Sequence, residues 1–232
     1  AIERVALIVS PGQQALIDMY LTGLEPVART QLPEHIDFIE QTEARGFGDA
    51  VWLGRDFVGQ DPFAVLLGDH LHVSLPGADT CLTQVVQAFS RFSGNAMIGV
   101  HAVDLKEVQK VGLVKGELLE EPVYRCVDFV EKPAPEVARQ RLTTSGLKPD
   151  TFLGHCGIYV FSSQIFSHLE QEQQVCSSEE GEVELAAAQH HLLQADPENY
   201  FLCRIHGNAY DMGTVTGYKR TLQAYGWKNR DG

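Results

Sequence analysis

The sequence predicts an α/β fold: a mixed, mainly parallel sheet flanked by helices, with a small antiparallel insertion. Three observations carry that expectation. Short apolar runs alternate with amphipathic helical patterns through the first half of the chain, as in βα units that feed a parallel sheet. The run 63–67 is continuously apolar and stops at Gly68, Asp69 and His70, the pattern of a strand covered on both faces with polar chemistry at its carboxyl end. From Val111 onward the pattern changes to two extended segments joined by a charged turn, which marks an antiparallel pair.

Taken in order, residues 5–9 read as a buried strand, Pro11 and Gly12 as a turn, and Ile17 and Leu21 as apolar positions of a helix. Ile36 and Phe38 alternate with Asp37 in a short strand leading to Gln41, and Ala50, Leu53 and Phe57 recur at helical spacing after Gly48. After the strand 63–67, His70 and His72 read as turn histidines, because no third ligand stands at a recognisable metal spacing. Leu82, Val85, Val86, Phe89 and Phe92 form an amphipathic stripe, and 97–103 resumes a strand. Residues 111–119 and 123–130, with Glu120 and Glu121 at their turn, make the antiparallel pair inside an insertion spanning 111–133. Pro135 opens a short helix to Leu142, since proline suits a first helical turn. Residues 152–161 form a strand and Ile165, Phe166 and Leu169 begin a helix, while 171–181 is polar and reads as exposed. A helix over 183–193, a strand over 201–205 and a last helix over 217–225, with Tyr218, Leu222 and Tyr225 on one side, complete the chain. With no internal repeat and no long linker, residues 1–232 read as a single domain.

Composition narrows the function. Eighteen basic against 31 acidic side chains give a net charge of −13, which repels polyanions and argues against nucleic-acid binding. A small phosphorylated ligand stays compatible with that charge, because local donors and a divalent cation overcome the global field. No apolar stretch approaches the length of a membrane span, so no membrane partner is expected. The five cysteines show no C-x-x-C spacing and no signal pattern opens the chain, which reads as a cytoplasmic protein with reduced, buried thiols.

Four constellations carry chemistry. Gln41 stands five residues before Gly46, with Gly48 and Asp49 following, between a strand and a helix. A side-chain amide can both donate to and accept from the edge of a flat base, and glycines let it approach the backbone; the same glycines could merely shape a turn. Asp69 at the end of a buried strand suits a Mg²⁺ that bridges phosphate oxygens, or a simple cap. Glu131 and Lys132 before Pro133 pair an acceptor for sugar hydroxyls with a compact phosphate partner, or form an exposed ion pair. Asp211 before Gly213, 142 positions after Asp69, supplies a second metal carboxylate or an ordinary Asx turn.

In order and spacing these segments resemble the sugar-nucleotide pyrophosphorylases, in particular the bacterial glucose-1-phosphate uridylyltransferases, across nearly the whole chain. The family's Gln-x4-Gly-Leu-Gly-His-Ala uracil segment is matched by Gln41, Gly46, Phe47, Gly48, Asp49 and Ala50, with Phe47 for the usual leucine and Asp49 for the usual histidine. Its metal aspartate is similar to Asp69, its Glu-Lys-Pro motif to Glu131, Lys132 and Pro133, and its Tyr-Gly-Val-Val stretch to Val111, Gly112, Leu113 and Val114. The Gly-Arg-Tyr region is similar to Gly157, Ile158 and Tyr159 or to Gly154 and His155. The Gly-Glu-Ile-Gln-Leu segment is matched by Gly181, Glu182, Val183, Glu184 and Leu185, and the Asp-x-Gly-x-x-x-Gly-Tyr pattern by Asp211, Gly213, Gly217 and Tyr218.

The resemblance implies a Rossmann-like fold of the nucleotide-diphospho-sugar transferase type. It also implies an enzyme that joins UTP and glucose 1-phosphate to give UDP-glucose and pyrophosphate. Asp69 and Asp211 would hold Mg²⁺, Glu131 and Lys132 would bind the sugar phosphate, Gly112 would meet the sugar through its backbone, and Gln41, Gly46 and Gly48 would receive the base. Two alternatives stay open: a non-catalytic subunit that binds a sugar nucleotide, and a related transferase using dTTP or another sugar 1-phosphate. The family's first strand, its Gly-x-Gly-Thr-Arg loop and its Pro-Lys motif lie upstream of the position matched by Ala1. The expectation is that the natural polypeptide or a partner chain supplies them; a homo-oligomer is the other partner expected.

Overall fold

The computed structural model describes residues 2, 4–30, 32–33, 35–178 and 181–226. The chain divides into two compact units, one of residues 1–61 with 165–189 and one of residues 62–164 with 190–232.

In the first unit β1 (Val5–Val9) and β2 (Ile36–Glu40) pair in parallel, Val5 opposite Ile36 and Val9 opposite Glu40. Between them lie α1 (Gln13–Thr22) and α2 (Pro26–Arg29), a connection long enough to bring the second strand back in the same direction. Helices α3 (Phe47–Leu53) and α4 (Arg55–Val58) follow, broken at Gly54. The unit is completed by α7 (Ile165–Ser178) and the start of α8 (Leu185–Ala195). The stretch 171–181 reads as exposed, and Gln171, Gln174, Val175 and Gly181 are, but the structure corrects that reading at Gln173. Helix α7 continues to Ser178, and Gln173 is buried against α3 by a hydrogen bond to Asp49. A polar residue at an inward helical position is retained when it has a partner there. Residues 179 and 180 of that stretch lie outside the described residues.

The second unit is built on a six-stranded mixed sheet. Its strands are β3 (Phe63–Leu66), β5 (Ala96–Asp104), β6 (Leu113–Glu120), β7 (Val123–Val130), β8 (Thr151–Phe161) and β9 (Tyr200–Arg204), in the order β3-β8-β5-β9-β7-β6. The expected α/β architecture with helices flanking a mixed sheet is present, but parallel pairing is confined to β5–β9 here and to β1–β2 in the first unit. The other described ladders are antiparallel, because β8 runs between β3 and β5 against both and β6 and β7 form a hairpin. That hairpin is the extended pair predicted from 111 onward, and it is hydrogen-bonded into the main sheet through β7–β9 and β6–β8.

Strand β8 is buried along nearly its whole length, since it has neighbours on both sides. Strand β3 stands at the end of the order and is only half-buried, with Leu66 45% exposed; its apolar run reflects pairing with β8 rather than cover on both faces. Helix α5 (Cys81–Phe92) is capped by the Thr80 hydroxyl, which accepts from the Thr83 amide at 3.1 Å. Its apolar stripe packs Cys81, Leu82, Val85, Val86, Phe89 and Phe92 onto Met97, Ile158, Val160 and Phe201. On the second core Ala138 of α6 (Pro135–Arg141) and Leu142 meet Val103, Val108, Leu113 and Phe152.

A separate two-stranded antiparallel sheet joins β4 (His70–Ser74) to β10 (Gly207–Asp211), with Asp211 opposite His70. Both strands escaped the sequence reading, which placed His70 and His72 in a turn. Each is only five residues long; β10 carries no alternation, and β4 alternates His70, Leu71, His72, Val73 and Ser74 over too short a run to be read as a strand without its partner. Helix α9 (Val215–Gly226) closes the chain; Tyr218 and Leu222 are half exposed on it while Thr221 is the buried position. The side chain of Tyr225 lies outside the described residues. All five cysteines are free, four of them buried, and burial pushes the Cys156 and Cys203 thiols up to about 12, so they are inert core groups.

Candidate functional site

In the first unit, the Gln41 amide donates to Val9 O at 2.8 Å, so the residue extends the β1–β2 ladder by one step. That places it at the carboxyl ends of two parallel strands, where open α/β sheets bind ligands. Its side-chain Nε2 donates to Gly46 O at 3.1 Å and to Asp49 Oδ2 at 2.7 Å, and Asp49 Oδ1 accepts from Gln173 Nε2 at 2.5 Å. Asp49, at 5% exposure, is therefore a buried acid held by two amides. Both expected glycines are forced by close approach to the chain itself. A Cβ on Gly46, whose φ is 103°, would fall 2.7 Å from Val183 O, and one on Gly48 would fall 2.8 Å from the same atom. Val183 N in turn donates to Arg45 O at 2.7 Å and Gly48 N to Val183 O at 2.8 Å. The segments matched at 41–50 and 181–185 are thus clasped together by backbone hydrogen bonds.

In the second unit two groups of side chains gather. Asp69 follows the β3 turn and Asp211 ends β10, and the pairing of β4 with β10 brings them together. Met212 N donates to Asp69 O at 2.8 Å, and Gly213 N donates to Asp211 Oδ1 at 2.7 Å. His70 Nδ1 lies 2.9 Å from Asp69 Oδ1, and one ligand atom from each of Asp69, His70 and Asp211 lies within 4.8 Å of the others. A Cβ on Gly213 would run into the Asp69 carboxylate and sit 3.2 Å from Asp211 Oδ1, so the glycine keeps the carboxylates' space open. Two carboxylates able to offer hard oxygen donors, one from the turn before β4 and one from the end of β10, fit Mg²⁺ by the chemistry of the donor set.

The second group surrounds the end of β7. A Cβ on Gly112 would fall 2.6 Å from Glu131 Oε2 and 3.2 Å from His155 Nδ1, while Gly112 O accepts from His155 N at 2.9 Å. Glu131 therefore folds across a gap that only glycine leaves. Lys132 Nζ lies 3.6 Å from Glu131 Oε1, with the lysine side chain largely exposed. Lys132 also holds a left-handed backbone, φ 44°, a conformation that costs a residue with a Cβ roughly 1–2 kcal/mol and is enriched at ligand sites. His155, which the sequence marked only through an uncertain match, is buried and stacks on Phe129 with ring centroids 4.8 Å apart. Its Nε2 has no hydrogen-bond partner, and burial lowers its pKa to about 4. Strand β8 serves both groups, since Gly157, two residues on, leaves room for His70: a Cβ there would fall 3.0 Å from the His70 ring. Sequence reasoning missed Gln173 and the part played by His155; a polar residue inside a helical pattern and a histidine in an apolar strand were the available signals.

Among the described residues no helix is long and apolar enough to cross a membrane. A family model described as nucleotidyl transferase matches residues 1–226. The chain is 32% identical to the UTP–glucose-1-phosphate uridylyltransferase of Bacillus subtilis strain 168, over 99% of this chain and 77% of that protein. It is 29% identical to the protein of the same name from Pseudomonas aeruginosa strain PAO1, over 78% of this chain and 58% of that one. Among solved structures it is similar to a UDP-glucose pyrophosphorylase complexed with UDP-glucose, with 26% identity and a TM-score of 0.76 over 98% of this chain and 82% of the other.

Proposed function

Because the chain belongs to the nucleotidyl transferase family, we propose that it is an enzyme that joins UTP and glucose 1-phosphate, releasing pyrophosphate and forming UDP-glucose. The observation that carries the reading is the Asp69–Asp211 pair, assembled across the β4–β10 sheet from positions 142 apart in sequence (211 − 69). Asp69 and Asp211 are the residues that would hold Mg²⁺, with His70 buttressing Asp69 at 2.9 Å. When bound, the ion would supply charge neutralisation to phosphate oxygens. Lys132, exposed beside Glu131, offers its ammonium to the sugar phosphate. Glu131 accepts from sugar hydroxyls beside the Gly112 backbone. Gln41 meets the base from the end of the β1–β2 pair.

In the reaction so read, an oxygen of the sugar phosphate attacks the α-phosphorus of UTP in line and pyrophosphate leaves, so the protein's task is positioning and charge stabilisation. No side-chain nucleophile enters. The five unpaired cysteines support a reducing, cytoplasmic setting.

The test is pyrophosphate release from UTP and glucose 1-phosphate with Mg²⁺, run beside dTTP and other sugar 1-phosphates. Asp69→Asn and Asp211→Asn should each lower turnover by about 10²-fold or more, and Lys132→Ala should lower kcat/KM by a similar factor without changing Tm. Normal turnover in both Asn variants would remove the metal assignment; a stronger rate with dTTP or another sugar would reassign the substrate.

A further inference from the structure

We infer that Asp49 and Gln173 set the choice of base, by clamping Gln41 so that it presents only an acceptor to the nucleotide. The inference rests on the reading that Gln41 meets the base. The atom of the Gln41 amide that lies 3.1 Å from Gly46 O and 2.7 Å from Asp49 Oδ2 must be the nitrogen, because a backbone carbonyl only accepts. Two acceptors use both of its N–H bonds. The polar function left to Gln41 is the lone-pair side of Oε1.

Asp49 is fixed in its turn. It is buried in the first turn of α3, and its other oxygen accepts from Gln173 Nε2 at 2.5 Å, reaching from α7 across 124 positions of sequence. Swinging the Gln41 amide over would turn its oxygen against the carboxylate and the Gly46 carbonyl, leaving buried acceptors unpaired. The clamp therefore makes the amide one-sided, and a one-sided acceptor selects a base whose pairing edge carries a ring N–H. Uracil and thymine carry one at that position. Cytosine, of the same size and shape, carries a ring nitrogen that only accepts, so it would meet Oε1 lone pair to lone pair. A site that must hydrogen-bond its ligand rejects the analogue lacking the donor far more sharply than a site relying on shape.

The measurement is the ratio of Kd values for CTP and UTP by titration calorimetry without sugar phosphate, with fold checked by circular dichroism and Tm. The unmodified protein is expected to prefer UTP by about tenfold or more. Asp49→Leu, which keeps the branched heavy-atom outline and removes both carboxylate oxygens, is expected to narrow the ratio to within about threefold, because the amide, then held by Gly46 O alone, can turn and present an N–H to cytosine. Asp49→Asn is expected to restore the preference, since its amide can still accept from Gln41 while donating to a turned Gln173. Gln173→Met, which removes the outer anchor, is expected to narrow the ratio in part, and it decides the matter if Asp49→Leu does not fold. A merely structural role would lower affinity for both nucleotides together and leave the ratio in place. If Gln41→Leu abolishes discrimination while Asp49→Leu and Gln173→Met retain it, the clamp is wrong and the base reading survives. If Gln41→Leu leaves the ratio untouched, both fall.

Discussion

At the scale of single residues, His155 shows how a side chain can be costly and retained. Its Nε2 is buried without a partner and its pKa is lowered from 6.5 to about 4 by burial alone. The folded state thus refuses a proton that the unfolded chain accepts. Stability from this group is complete above pH 6.5, falls as pH drops through the window down to about 4, and at the bottom has lost about 3 kcal/mol. His155→Phe keeps the stack on Phe129 and removes both the orphan nitrogen and the titration. Urea unfolding should find the variant more stable by about 1–3 kcal/mol at pH 7, with a flatter acid limb between pH 6.5 and 4. An unchanged acid limb would show that His155 is not the group responsible. The sequence could place this histidine in an apolar strand, but whether its ring would be solvated or entombed depended on Phe129 and Gly112, which come from other segments.

At the scale of elements, the β10–α9 turn and the β3–β4 turn act as one device, joined by Met212 N to Asp69 O at 2.8 Å. Gly213 is its spacer. In Gly213→Ala the added methyl collides with the Asp69 carboxylate, so the acids must separate; the Mg²⁺ concentration for half-maximal activity should rise by about tenfold, with stability lowered by less than about 1 kcal/mol because the exposed carboxylate can turn aside. Gly68→Ala, one residue from Asp69, meets nothing within 4 Å and should leave stability within about 0.5 kcal/mol. Equal effects of the two substitutions, measured as Mg²⁺ titrations of activity and as Tm, would contradict the spacer role. Elements with a strong period were legible beforehand: α5, β5, β8 and the β6–β7 hairpin lie where their apolar spacing put them. β4 and β10 were not: β10 has no alternation of its own, and the five-residue alternation of β4 is too short to specify a strand without its partner.

At the scale of the whole molecule, the net charge of −13 is a repulsive load on the folded chain. Raising NaCl from about 10 mM to about 150 mM shortens the screening length from about 30 Å to about 8 Å. Tm at pH 7 should rise by about 2–4 °C over that range; a fall in Tm would mean that the surface ion pairs, such as Arg139–Asp150 at 2.8 Å, outweigh the repulsion.

The sequence by itself determined the α/β class, the family and the identity of the charged and amide residues named above, because periodicity and ordered short motifs are properties of the chain alone. Only the tertiary structure decided what those residues do to one another. It set Asp211 opposite His70 across the β4–β10 sheet, and laid Glu131 over Gly112. It also carried Gln173 from a stretch that read as exposed to the buried carboxylate of Asp49. The physical reason is the same in each case: hydrogen bonds and close contacts between distant segments depend on strand pairing and helix packing, and a side chain's spacing in sequence says nothing about the partner that folding will bring to it.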